Sequence, residues 1–229
     1  VVYPELTQAN QSGLVEALGN ENGWVRDTAA RLLREQGPAA PLAALAELAE
    51  NENAKAHGRI AALQTLQALG AAEDSTLVAG AQSADPVVRK IALRVISERD
   101  NHGKALDLEM VRARINDEDP RARLNALLAL ATCDINQEVA AEVVSIWPGL
   151  ADKHLQSAVV GVAAGNPLMF VDAAFSASDS ARFASLAPHL VRLVANKQDA
   201  ALAAKLINVI SQEPASSDAL KQAALETLA

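Results

Sequence analysis

Aromatic residues make up only 3% of this 229-residue chain, although half of it is hydrophobic. Ala and Leu supply most of the apolar content, which favours helix and lets helices pack closely. Cysteine is nearly absent. Cys133 alone permits no intrachain disulfide, and at the end of LNALLALATC it is expected as a buried structural thiol on an apolar helix face. Positive charge is also short: 20 Lys and Arg stand against 28 Asp and Glu, for a net charge of −8. That balance argues against general affinity for nucleic acid, which needs a concentrated cationic face. No apolar run reaches the ~18 residues of a membrane span. The sequence begins at VVYPEL without Met and stops at ALKQAALETLA inside an apparent helix. It is therefore expected to be a piece of a longer polypeptide, and its compartment cannot be inferred from a missing leader.

What is present is a repeat. NGWVRDTAARLL from Asn22, DPVVRKIALRVI from Asp85 and DPRARLNALLAL from Asp119 share one grammar. A capping residue stands four positions before an arginine, as Asn22–Arg26, Asp85–Arg89 and Asp119–Arg123. An alanine follows at three (Ala29, Ala92, Ala126) and a large aliphatic at seven (Leu33, Ile96, Leu130). KAHGRIAALQTL keeps Arg59, Ala62 and Leu66 with Lys55 in the cap place, so the arginines are 33, 30 and 34 residues apart.

The physics of this unit is local. An Asp or Asn cap accepts from the free amides of the first turn. Pro86 and Pro120 occupy the first helical position, where a missing N–H is harmless. The alanine is small where helices cross, and the aliphatics form the buried stripe. Each of these helices is preceded by another, expected near 5–18, 39–50, 73–82 and 105–115, with Gly37, Gly70 and the Asp100-Asn101 turn closing the second helices. Further helices are expected at 136–147, 152–164, 167–176, 180–196 with a bend at Pro188, 199–212, and from Ser217 onward. In the fifth pair Leu155 replaces the arginine, while Ala158 and Val162 keep the other two places. The expectation is one all-α domain over residues 1–229, an α-α superhelix of about six to seven stacked antiparallel helix pairs.

The grammar Asp85-Pro86-Val88-Arg89-Ala92-Ile96 resembles the second helix of HEAT repeats, so the expected fold is a HEAT-like solenoid. The run Asn22, Trp24, Arg26, Asp27, Thr28, Ala29, Arg31, Leu32, Leu33 is similar to the helical section of bacterial multidomain proteins. Those join a propeller related to sugar dehydrogenases to a c-type haem domain. The resemblance implies a non-catalytic linker or interaction domain of an exported or periplasmic redox protein. Neither redox part is in the sequence, which has no Cys-x-x-Cys-His. HEAT-like folds also include enzymes, DNA glycosylases and bilin lyases among them. A glycosylase would want a basic groove with aromatic and acidic residues at its centre, and for a lyase no chromophore-handling cluster is seen.

Candidate functional residues are few. Arg26, Arg59, Arg89 and Arg123 form a column that would line up along stacked second helices. It reads either as an anion- or carboxylate-binding stripe on a concave face or as a structural ladder holding repeats in register. Trp24 is expected to pack over the adjoining loop, with partner contact as the other reading, and Trp147 to cap its helix end against the next repeat. His57, His102, His154 and His189 lack the short helical spacing of metal ligands, so no metal site is expected. Asp117-Glu118-Asp119 is read as a solvated, capping turn, and no catalytic residue or cofactor site is assigned. The expected partners are proteins or flanking domains of the same polypeptide, and the domain alone is expected to be a monomer.

Overall fold

In the computed structural model, residues 5–99, 108–212 and 218–228 are described. Among them are fourteen α-helices and no strand. In chain order these are α1 Gln11–Ala17, α2 Gly23–Glu35, α3 Leu42–Glu50, α4 Ala56–Ala68, α5 Asp74–Gln82, α6 Pro86–Glu98, α7 Leu108–Arg112, α8 Pro120–Leu130, α9 Gln137–Ile146, α10 Lys153–Ala163, α11 Pro167–Phe175, α12 Ala187–Asn196, α13 Ala200–Gln212 and α14 Asp218–Leu228. The fold is all-α, and helices pack against their neighbours in sequence order. Their contacts gather into two compact units, residues 1–129 and 130–229.

The first unit is a stack of helix pairs in two layers. Within pairs α1 packs on α2, α3 on α4 and α5 on α6; across pairs α1, α3, α5 and α7 follow one another, as do α2, α4 and α6. A helix pair this small cannot cover its own apolar stripe, so each layer is completed by the next pair. The repeated positions carry that burial. Ala29, Ala62, Ala92 and Ala126 are fully buried, and so are Leu33, Ile96 and Leu130, with Leu66 almost as covered. The second unit follows the same plan, α9, α11 and α13 in one layer and α10, α12 and α14 in the other. Leu155, in the arginine place of α10, is buried with Ala158 and Val162.

Local chemistry sets the helix ends. Asn22, Asp85, Asn136 and Asp152 cap α2, α6, α9 and α10 through their side chains, while Lys55 starts α4 without a side-chain cap. Gly70, at φ +67°, ends α4: its amide donates to Gln67 O and the Ala71 amide to Leu66 O, closing the helix with a left-handed turn.

Three expected helices differ. The segment 5–18 divides into a 3-10 turn at Leu6–Gln8 and α1, because Asn10 turns its side chain onto the Gly13 amide and starts a new helix. The segment 180–196 divides into a 3-10 turn at Ser180–Phe183 and α12. Pro188 lies in the first turn of α12, where its missing N–H has no partner to lose, and so bends nothing. Of the helix expected at 105–115, residues 108–115 are described, and α7 ends at Arg112 with a turn over 113–115. The Asp100-Asn101 turn, His102 and Ser217 lie outside the described residues.

The alanine column has a visible reason at one crossing. A Cβ added to Gly80 on α5 would stand 2.8 Å from Ala92 Cβ on α6, so neither side can grow. Ordinarily Gly→Ala within a helix stabilises by about 0.5–1 kcal/mol. Gly80→Ala is expected to reverse that sign and destabilise by about 1–3 kcal/mol through overpacking. Gly161→Ala on α10, where an added Cβ meets nothing within 4 Å, is expected to stabilise by the ordinary amount. Urea unfolding of the two variants measures both.

Candidate functional site

The arginine column sits at the loops that join first helices to second helices. The loops before α2, α6 and α8 fold back onto the caps that follow them. The residue two before the cap accepts from the cap's own amide: Asn20 Oδ1 from Asn22 N (2.9 Å), Ser83 Oγ from Asp85 N (3.2 Å) and Asp117 Oδ1 from Asp119 N (3.0 Å). The cap carboxylate then accepts from the first turn, Asp85 Oδ1 from Val87 N and Val88 N, and Asp119 Oδ1 from Arg121 N and Ala122 N. Arg121 also reaches Asp119 from its exposed side chain, and that hydrogen bond is the main reason the Asp119 carboxyl lies well below the usual carboxylate range.

Arg26 donates Nη1 to the carbonyls of Asn20 (2.7 Å) and Glu21 (3.0 Å) in its own loop. Arg89 repeats that pattern with Ser83 O and Ala84 O, both at 3.0 Å. It also reaches into the following repeat, where Nε and Nη2 grip the two oxygens of Asp117 at 2.7 Å each. This is the parallel fork that a guanidinium and a carboxylate make best. Arg59 is the most buried of the four, 2% exposed. Its Nε donates to Ala49 O (2.9 Å), Nη2 lies 2.6 Å from Glu52 Oε1, and Nη1 donates to Ser83 Oγ (2.8 Å) of the following repeat. Arg59 and Arg89 thus each bind the residue two before the next cap. Among the described residues Arg123 makes no such bond: it is half-buried, its Nε is shielded from solvent, and that Nε meets no acceptor there.

Ser83 has no role in the sequence pattern, and Asp117 appears there only within a solvated, capping turn. Their signal is the polar residue two places before the caps Asn22, Asp85 and Asp119, in loops that looked merely solvated. Asp117 in particular is no solvated turn residue, since its side chain is 1% exposed. Burial pushes its carboxyl up, but the Arg89 fork, the Asp119 amide and the charges of Arg89 and Arg114 outweigh that and leave it below the ordinary value.

The remaining candidates are dispersed. Trp24 is 56% exposed at the start of α2. Trp147 is buried; its Nε1 donates to Ser185 Oγ at 2.9 Å, and its ring meets His189 edge-on at 5.7 Å. His57 Nε2 lies 3.0 Å from Gly19 O, tying α4 to the α1–α2 loop. Lys55 and Glu21 pair across the same gap, beside an open groove of about 550 Å³ bordered by Glu5 and Glu16. Among the described residues no group of three His, Cys, Asp or Glu is placed to hold a metal ion. Cys133 lies in the turn after α8, half-buried, not on the helix face, because α8 ends at Leu130. Burial pushes its thiol up, with Asp134 adding to the effect and Thr132 opposing it.

No family model matches the sequence, and no curated protein matches it. The crystal structure of an engineered protein aligns over 96% of this chain and 97% of its own at 19% identity, with a TM-score of 0.40.

The Arg89–Asp117 pair makes a pH-dependent contribution whose sign follows from the lowered carboxyl. With the folded-state pKa below that of the unfolded chain, about 3.9, the stabilisation is complete above that pH and is lost as pH falls toward the folded value. Asp117→Asn is expected to remove about 3 kcal/mol at pH 7, the cost of leaving Arg89 without its counter-charge. It should also flatten the loss of stability as the pH falls below about 4. Urea midpoints measured across that range for both proteins test it.

Proposed function

We propose that this chain is a non-catalytic helical-repeat scaffold that presents a fixed surface to a protein partner or to flanking domains of its own polypeptide. The observation that carries the reading is the use made of the buried guanidinium groups. Arg59 and Arg89 each donate to an oxygen of their own repeat and to an oxygen of the following repeat, which supports a fixed spacing of one helix pair on the next. A bidentate charge-assisted contact constrains orientation as well as distance. Such a stack holds exposed side chains at defined intervals, as an extended recognition surface requires. Trp24 is the exposed large aromatic among the described residues, and tryptophan is among the residues that most often anchor a protein interface. If the flanking domains are those implied by the sequence resemblance, they are a propeller dehydrogenase-like domain and a c-type haem domain, and the repeats space the two.

A photo-crosslinking residue placed at position 24 in the full polypeptide, in its own cells, tests this reading against the same residue at the exposed Glu47 on α3. Position 24 is expected to give one defined adduct, to a partner or to a flanking domain, identifiable by mass spectrometry. Position 47 is expected to give none of it. Absence of an adduct at 24, or equal labelling at both, contradicts the proposal.

A further inference from the structure

The helix caps divide by residue type. Asp85, Asp119, Asp152 and Asp199 each accept from two first-turn amides through one oxygen, at 2.7–2.8 Å and 3.2 Å. Among the described residues Asn10, Asn22, Asn136 and Asn166 each accept from one. A carboxylate is the stronger acceptor, and its full charge meets the positive end of the helix. Asn22 holds the Trp24 amide alone, at 3.0 Å, where the equivalent Asp85 and Asp119 hold the following amide as well. Asn22 also breaks the charge pattern of the repeat: Arg89 and Arg123 have an aspartate four residues before them, and Arg26 has a neutral amide.

Asn22 is followed by Gly23, and this is the one Asn-Gly in the sequence. The backbone nitrogen after an asparagine can attack its side-chain amide, and a glycine leaves that nitrogen least shielded. Gly23 stands at the first helical position, where its N–H has no partner within the helix. Asn22 is partly exposed, so water reaches it. The other asparagine caps lack this combination. Asn10 and Asn136 precede Gln, and Asn166 precedes Pro167, whose nitrogen has no proton to give up.

We propose that Asn22-Gly23 is a site of spontaneous deamidation, through which the chain converts the single-bonded cap of α2 into a carboxylate. The Gly23 nitrogen loses its proton to solvent base and attacks Asn22 Cγ. The N–Cγ bond forms, the Cγ–Nδ2 bond breaks, and ammonia leaves with a proton from water, closing a five-membered succinimide. Water then opens the ring. Addition at Cγ breaks the new bond and leaves aspartate in the ordinary backbone. Addition at the Asn22 backbone carbonyl breaks the original peptide bond and leaves isoaspartate, with the chain running through Cγ. In sum one amide and one water give one carboxylate and one ammonium ion, and nothing is oxidised or reduced.

The aspartate product matches Asp85 in place and can take the Val25 amide as Asp85 takes that of Val88. The isoaspartate product adds a main-chain methylene between Arg26 and the Asn20 and Glu21 carbonyls that it grips, which loosens the start of α2. Either product sets a negative charge two residues from Trp24. The present cap bond slows the reaction by holding the side-chain amide on Trp24 N, so cyclisation waits for the first turn to open. The inference stands on the Asn22 geometry and does not depend on the scaffold reading.

The test is incubation of the intact chain at mildly alkaline pH, native and unfolded in guanidinium chloride, followed by peptide mapping with mass spectrometry. An isoaspartate-specific methyltransferase counts that product. In the native chain the mass gain of one NH-to-O exchange is expected at Asn22 before any other asparagine. Unfolding is expected to speed it about fivefold or more, the protection one cap gives. Gly23→Ala is expected to react about tenfold or more slowly with the fold kept, since the added Cβ meets only Arg26 Nη2, at an ordinary 3.5 Å. Asn22→Asp is expected to gain no mass at that position, to melt about 1–4 °C higher, and to slow hydrogen exchange at the Val25 amide. Conversion first at another asparagine, none in the native chain while the unfolded chain converts, or an unchanged rate in Gly23→Ala overturns the site. A lower melting temperature for Asn22→Asp overturns its reading as a cap completed by deamidation.

Discussion

A two-helix repeat has more apolar surface than it can cover alone, and this structure follows from that shortage. Each pair leaves a stripe of Ala and large aliphatic residues that only the next pair can bury. Stacking by burial alone is permissive, however, because apolar contact has little preference for angle or register. The polar loops supply what the stripe cannot. Arg59 and Arg89 reach from one repeat to a fixed oxygen of the next, and a shift of even one residue would leave a buried guanidinium without an acceptor.

Much of this was legible in the sequence because it is encoded at short range. Caps, first-turn prolines, alanines and aliphatics recur at offsets of four, three and seven, and the structure places those alanines and aliphatics in the core. The breaks were less legible. Asn10 starts a helix inside an apparently continuous segment by bonding the Gly13 amide, a local competition that periodicity does not register. Pro188 looked like a bend because the 3-10 turn before it reads as helix. The division of contacts into residues 1–129 and 130–229 has no composition shift to mark it.

The candidate site was legible only in half. The four arginines could be aligned from spacing, but what each one binds depends on the loop of another repeat. Ser83 and Asp117 stand more than twenty residues from their arginines, and nothing local distinguishes Asp117 from the exposed Glu118 beside it. Nor could spacing separate Arg123 from its column mates. That difference lies in a missing acceptor, and an absence of that kind is visible only once the other three have been placed.

The account's central claim is that side chains crossing between repeats, and not apolar contact alone, fix the stack. A double-mutant cycle on Arg89→Gln and Asp117→Asn, followed by urea unfolding at pH 7, measures that crossing contact directly. A coupling free energy of about 2–4 kcal/mol is predicted, as for a buried bidentate pair. A coupling of about 0.5 kcal/mol or less, the value of an exposed surface pair, would contradict it.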